Sequence, residues 1–214
     1  LSAVKAVAET ISDNLNSYKI VSTKSTVPVG TGKWIESRIS SHNSQTKFDY
    51  VSNPEFLREG SSIKDFMYPD RIVIGTRTKK SYEIMKEVYR PLFINETPLL
   101  DVTVETAEMI KYVSNAFLAL KISYINEIAN LCEAVGADVH QVARAMGKDG
   151  RISPKFLHPG PGYGGSCFPK DTQALAAMGR EHNSPLLTIE SAIEANKKQN
   201  IRMIDKLETL VGRE

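Results

Sequence analysis

The stretch Glu105–Val135 constrains the fold most, because it reads as one continuous helix. At 1.5 Å per residue such a helix is roughly 45 Å long. Asp101 or Thr103 can cap its start, and Gly136 stops it. Its middle, Ala116–Ile125, is apolar on nearly every side. A helix of that kind has to be covered all round, by its own chain or by a second subunit.

The chain before it has a different rhythm. Val4, Val7, Ala8, Ile11 and Leu15 form a helical stripe over residues 1–16. Lys19–Lys24 reads as a strand, Pro28 ends its pairing, and Gly30 and Gly32 mark a loop. Trp34, Ile35, Arg38 and Ile39 read as a helix that dissolves in the polar stretch Ser40–Lys47. Phe48–Ser52 and Asp70–Gly75 are further strands, and residues 80–90 a helix. Strands separated by helical segments predict βαβ units and a parallel sheet. In such sheets ligands bind outside the carboxyl ends of the strands, where Ser25-Thr26 and Asn53-Pro54-Glu55 fall. Helices are expected again at about 138–146, 169–182 and 186–211. The fold class is therefore α/β followed by all-α, with the join near residue 100.

The formal net charge of +2 on 214 residues argues against nucleic acid or a membrane surface as partner. No apolar run reaches the length of a membrane-spanning helix. Cys132 and Cys167 do not make a disulfide framework, so free thiols and a cytoplasmic, reducing setting are expected. His42, His140, His158 and His182 are scattered, and a metal site is not expected. Cys132 continues an apolar helical stripe and reads as core.

Pro159–Thr172 carries the strongest chemical signal. Glycines and prolines precede Cys167, and Lys170 and Asp171 follow it. Pro169 suits the first turn of a helix, which places Cys167 at the helix start, where the partial positive charge favours an anion. Lys170 and Asp171 lie three and four residues on, on the same side. This reads either as an activated thiol with two polar assistants or as a glycine-rich loop beside an ordinary cysteine. Tyr163 between glycines is placed to cover a ligand. Lys111 and Asn115 share a helix face and can hold an oxyanion or form a solvated stripe. Glu55 and Glu59 follow Pro54 at a strand end, either as a base and a ribose ligand or as charges answering a helix dipole. Thr26 can hold a water or serve as a turn residue. Arg151 is either an anion contact or a surface arginine.

In this order the motifs resemble the UDP-glucose 6-dehydrogenase family of nucleotide-sugar dehydrogenases. They are Lys24-Ser-Thr-Val-Pro-Val-Gly30, Ser52-Asn-Pro-Glu-Phe-Leu-Arg-Glu-Gly60, Lys111-Tyr-Val-Ser-Asn-Ala-Phe-Leu-Ala119 and Gly162-Tyr-Gly-Gly-Ser-Cys-Phe-Pro-Lys-Asp171. The resemblance implies NAD as cofactor and oxidation of a sugar CH₂OH to a carboxylate in two steps. It implies Cys167 as nucleophile, Asp171 and a water near Thr26 as proton handlers, Lys111 with Asn115 on the oxyanions, and Glu55 as acid/base. Phe56, Leu57, Arg151, His158, Tyr163 and Gly164 match positions lining the nucleotide-sugar site. The family often has Lys where His158 stands. Ser25, Thr26, Val27 and Glu59 match the NAD contacts. The helix 105–135 matches the one about which the family's subunits dimerise. UDP-glucose is the expected substrate, with GDP-mannose or a UDP-N-acetyl-hexosamine as alternatives.

The family's Gly-x-Gly-x-x-Gly turn is not in these residues, and neither is its nucleotide-gripping C-terminal domain. The expectation is an internal piece of such an enzyme that does not turn over alone. Residues 1–100 would be the C-terminal part of a Rossmann-like domain. Residues 101–196 would be a helical dimerisation domain with a long central helix and the Cys loop. Residues 197–214 would begin the linker to a UDP-binding domain. A bare dimerisation core, or a single-step dehydrogenase that needs no thiol, are the competing readings.

Overall fold

The computed structural model describes residues 1–42 and 45–212. The chain folds as two compact units, Leu1–Lys111 and Tyr112–Glu214. The division between these compact units falls inside the long helix.

In the first unit α1 (Ser2–Asn14) is followed by β1 (Lys19–Thr23), α2 (Thr31–His42) and β2 (Phe48–Ser52). Then come the short α3 (Ser62–Met67), β3 (Ile72–Gly75), α4 (Lys79–Tyr89), a 3₁₀ turn (Arg90–Asn95) and β4 (Leu99–Val102). Among the described residues the sheet has the order β1-β2-β3-β4. β1 pairs β2 in parallel from Lys19↔Phe48 to Thr23↔Ser52, and β3 pairs β4 in parallel. The expected parallel sheet of βαβ units is found in both pairs, and β2 meets β3 antiparallel through the single pair Ser52↔Gly75. The two parallel pairs are separate βαβ units joined at their ends, so the long connection 53–71 need not return across the sheet.

Alternation along β2 sorts the core into two layers. Tyr50 points to one face, with Val21, Ala8, Ile35 and Ile39 of α1 and α2. Val51 points to the other, with Ile72, Ile74, Met85 and Tyr89 of β3 and α4. Of the stripe read on α1, Val4, Ala8, Ile11 and Leu15 pack into the first layer, whereas Val7 is exposed. A face at i, i+4, i+7 and i+11 leaves Val7 on its border. Gly32 is not a loop residue but lies in the first turn of α2. A Cβ there would meet the Tyr50 ring at 2.5 Å and Val104 at 2.6 Å, so this glycine lets the helix approach the sheet. The strand read from Asp70 begins at Ile72. α3 and β4 went unread because one is six polar-rich residues and the other four half-exposed ones. The stretch read as helix-dissolving continues as helix to His42, and Asn43 and Ser44 lie outside the described residues.

The helix α5 (Val104–Val135) has 32 residues and is about 48 Å long. Thr103 caps it: its Oγ1 accepts from the Thr106 N–H at 3.2 Å. Gly136 (φ 75°) ends it, and the Ala137 N–H reaches the Cys132 carbonyl at 2.9 Å, which satisfies an end carbonyl.

The second unit continues with α6 (Val139–Gly147), α7 (Phe168–Glu181) and α8 (Leu187–Val211). α8 runs through residue 197 without a break. Ile125 and Ile128 of α5 pack with Val139, Ala143 and Met146 of α6 and with Leu157. The middle of α5 is not covered all round. Val113, Phe117, Tyr124, Leu131 and Val135 form an exposed apolar stripe, with Phe117 60% exposed. Among the described residues no helix is long and apolar enough to cross a membrane.

Candidate active site

In the first unit the sequence-predicted residues gather where β1 and β2 end side by side. The loop after β1 carries Ser25 exposed, Thr26 half-buried and Val27 in the core. The loop after β2 starts at the buried Asn53, which the sequence placed at a strand end without showing its anchoring role. Its N–H donates to the Thr23 carbonyl at 2.9 Å, and its Nδ2 donates to the Val73 carbonyl at 2.7 Å. Its Oδ1 accepts from Lys24 Nζ at 3.1 Å and from the Tyr89 hydroxyl. One carboxamide thus ties β1, β2, β3 and α4 together at the rim.

From Asn53 the chain passes through Pro54 to Glu55, whose Oε2 accepts the Leu57 N–H at 2.6 Å. Its Oε1 lies 3.2 Å from Lys111 Nζ. The Lys111 side chain is only 5% exposed, and a buried ammonium needs such an anion. Lys111 also lies 5.4 Å from the Phe56 ring centroid, and Arg71 covers that ring at 3.9 Å. Leu57 and Glu59 are exposed on the turn that follows. Arg58 between them grips Asp65 and holds its carboxyl well below the usual range.

Glu108 is the second residue that sequence reasoning missed. It is buried one helical turn before Lys111, and its two oxygens accept the N–H groups of Gly30 and Gly32, each at 2.7 Å. These are donors at the start of α2, which an anion satisfies. Burial pushes the Glu108 carboxyl up, against the pull of the two N–H groups. A buried acid three residues before Lys111, which the helical period puts on one face, was the available signal.

In the second unit Cys167 is the N-cap of α7, Phe168 its first residue, and Pro169 stands in the first turn. Cys167 is exposed, with Ser166 Oγ 3.6 Å from its sulfur, while Cys132 is buried and also free. Asp171, fully buried, donates its N–H to the Cys167 carbonyl at 2.9 Å. Its carboxylate accepts from Asn115 Nδ2 and from Lys170 Nζ, each at 2.6 Å. Lys111 and Asn115, read as an oxyanion pair, thus each engage a different carboxylate.

Tyr163 is buried edge-on against Phe168, with ring centroids 6.2 Å apart, and burial raises its hydroxyl pKa. Its ring therefore packs into the protein instead of lying open over the loop. Gly164 and His158 are exposed. Arg151 is exposed and forks onto Asp149, with its Nη2 2.6 Å from Oδ2. Among the described residues no cluster of three or more His, Cys, Asp or Glu could hold a metal.

The first unit is a Rossmann-like α/β unit with a polar rim, and the second is helical and presents an exposed thiol. Residues 1–93 match the NAD binding domain of the UDP-glucose/GDP-mannose dehydrogenase family, and residues 105–198 match its central domain. The chain belongs to this family. It is 52% identical to the UDP-glucose 6-dehydrogenase of Rhizobium meliloti strain 1021, over 99% of this chain and 49% of that protein. It is 51% identical to the UDP-glucose 6-dehydrogenase TuaD of Bacillus subtilis strain 168, over 99% of this chain and 46% of that protein. A UDP-glucose dehydrogenase structure from the archaeon Pyrobaculum islandicum superposes with a TM-score of 0.91 at 37% identity, covering 99% of this chain and 48% of that one. The chain thus spans about half the length of the curated relatives it matches.

The Glu108 contact predicts a measurable cost. Glu108→Gln turns an amide nitrogen toward one of the two glycine N–H groups. Unfolding free energy is expected to fall by about 1–3 kcal/mol in chemical denaturation. An unchanged midpoint would show that the contact contributes nothing.

Proposed function

We propose that the protein carrying this chain oxidises the C6 alcohol of UDP-glucose to UDP-glucuronate with NAD, through covalent catalysis at Cys167. The observation that supports this most is the exposed thiol at the start of α7, one turn before a buried carboxylate held by Asn115 and Lys170. The loop at 24–30 fits one edge of NAD: Ser25 is exposed and Thr26 half-buried, while Val27 and the Glu108 contact anchor the loop. Ser25, Thr26, Val27 and Glu59 would hold that edge. When bound, NAD takes up the electron pair released in each of the two oxidations.

Asp171, with a water near Thr26, accepts the alcohol proton in the first oxidation. The Cys167 thiolate then adds to the aldehyde carbon and forms a thiohemiacetal. Loss of a second electron pair and a proton leaves a thioester on Cys167. Water attacks it, the carbon–sulfur bond breaks, and carboxylate and thiol are released. Lys111 and Asn115 stabilise the oxyanions. Glu55, already in contact with Lys111, moves the proton of the attacking water. Phe56, Leu57, Arg151, His158, Tyr163 and Gly164 bind the nucleotide sugar. GDP-mannose and UDP-N-acetyl-hexosamines are the alternative substrates, and a titration of the intact enzyme against each sugar separates them.

The same reading makes the protein a homodimer through α5. The exposed stripe of Val113, Phe117, Tyr124, Leu131 and Val135 is the apolar surface such an interface needs. It places the enzyme in the cytoplasm, in keeping with two free thiols.

Two experiments check this. The full-length enzyme is expected to form two NADH per UDP-glucose, and Cys167→Ser to lower sugar-acid formation by about a thousandfold or more. One NADH per substrate, or normal acid formation by the serine variant, contradicts the covalent route. In sedimentation the chain is expected to run as a dimer and Phe117→Asp as a monomer; a wild-type monomer removes the dimer reading.

A further inference from the structure

The loop before Cys167 faces a difficulty of its own making. Gly160-Pro-Gly-Tyr163 forms neither helix nor strand, yet Tyr163 is buried and Gly160 half-buried. Its backbone polar groups need partners that regular structure does not supply. Carboxamide side chains supply them. Asn126 Oδ1 accepts the Gly160 N–H at 2.7 Å, and Gln199 Nε2 donates to the Gly160 carbonyl at 2.8 Å. Asn200 Nδ2 donates to the Pro161 carbonyl at 2.6 Å. Asn196 binds Tyr163 twice, accepting its N–H at 2.7 Å and donating to its carbonyl at 3.0 Å. Asn130 Nδ2 holds the Gln199 Oε1 at 2.9 Å, which turns the Gln199 amide nitrogen toward the loop.

The spacing is that of two helix faces. Asn196, Gln199 and Asn200 stand at i, i+3 and i+4 on α8, and Asn126 and Asn130 at i and i+4 on α5. Asn126, Asn196 and Gln199 are all buried, a costly place for amides. Asn196 and Gln199 use both amide atoms, while Asn126 uses its Oδ1 and leaves its Nδ2 without a partner among the described residues. Gly162 is shaped to the same contact. Its φ is 118°, and a Cβ there would lie 2.6 Å from Asn196 Oδ1 and 2.9 Å from Asn200 Nδ2.

We propose that this amide clasp, with Asn196 at its centre, is a positioning device for Cys167. The path is short: Asn196 fixes the Tyr163 backbone, the Tyr163 ring packs edge-on against Phe168, and Phe168 opens α7 beside the thiol. Phe156 closes on the other side of Phe168 at 6.1 Å. A carboxamide both donates and accepts without carrying charge, so the clasp holds its geometry at any pH at which the protein is folded. Gly164, Gly165 and Ser166, between clasp and thiol, are exposed and lie outside it.

The inference rests on the proposed role of Cys167 and is tested in the full-length enzyme with two readouts. Asn196→Ala is expected to lower kcat at least tenfold while KM for NAD stays within twofold. Asn196→Asp, which keeps the accepted Tyr163 N–H but loses the donor, should fall in between. By hydrogen exchange, peptides covering 160–171 should exchange at least tenfold faster in Asn196→Ala, with α6 peptides unchanged. Should that variant not fold, Asn200→Ala removes one bond from an exposed position, and a kcat loss of about threefold with the same exchange pattern is expected. A kcat within twofold of wild type in Asn196→Ala, or exchange accelerated equally throughout the second unit, overturns the inference. The exchange readout needs no turnover. If Cys167→Ser makes acid normally, the functional reading fails while the exchange pattern still decides whether the clasp holds the loop.

Discussion

A buried polar side chain on a helix has to find a partner, and α5 is built around that requirement. Glu108 and Lys111 are buried within one turn of each other, and each reaches a different loop of the first unit. Glu108 fixes the start of α2 after the β1 loop, and Lys111 fixes Glu55 and Phe56 after β2. Farther along, Asn115 holds Asp171 and Asn126 holds Gly160 in the second unit. Replacing any of these by an apolar residue would leave a buried donor or acceptor unmet, which costs more than the bond itself contributes. The loops that carry the candidate chemistry have little regular structure of their own. Their conformations are set in part from α5, and in the second unit also from α8.

The buried side of α5 mixes large packing residues, Val104, Tyr112 and Ile125, with small ones. Ala107, Ala116 and Ala119 are small and fully or nearly fully buried, so neighbouring backbone comes close enough for the polar residues between them to reach it. Gly75 shows the same economy from the sheet: a Cβ there would meet Ala107 at 2.5 Å and the Thr103 carbonyl at 2.9 Å. Phe117, Tyr124 and Leu131 are exposed.

Much of this was legible in the sequence because it depends on periodicity. The strands Lys19–Thr23 and Phe48–Ser52, the stop at Gly136 and the start of α7 at Phe168 follow from local pattern and from the turn chemistry of Gly and Pro. The antiparallel join of β2 to β3 did not, because one residue pair leaves no periodic trace. At the site, the residue types were legible and their partners were not. Lys111 and Asn115 share a spacing that suggests one joint task, yet hydrogen bonding sends them to Glu55 and Asp171. Asn53, Glu108 and Asn196 carry no chemical signature in sequence. An amide or acid binding backbone looks like any surface polar residue until its burial is known.

The account centres on a covalent bond between Cys167 and the substrate carbon. Rapid quench of the full-length enzyme turning over UDP-glucose and NAD, followed by peptide mapping, tests it most directly. The account predicts a nucleotide-sugar acyl group on the peptide containing Cys167, lost on hydroxylamine treatment as a thioester is. Steady production of sugar acid with Cys167 unmodified at every quench time, and with its alkylation leaving the rate unchanged, would contradict it.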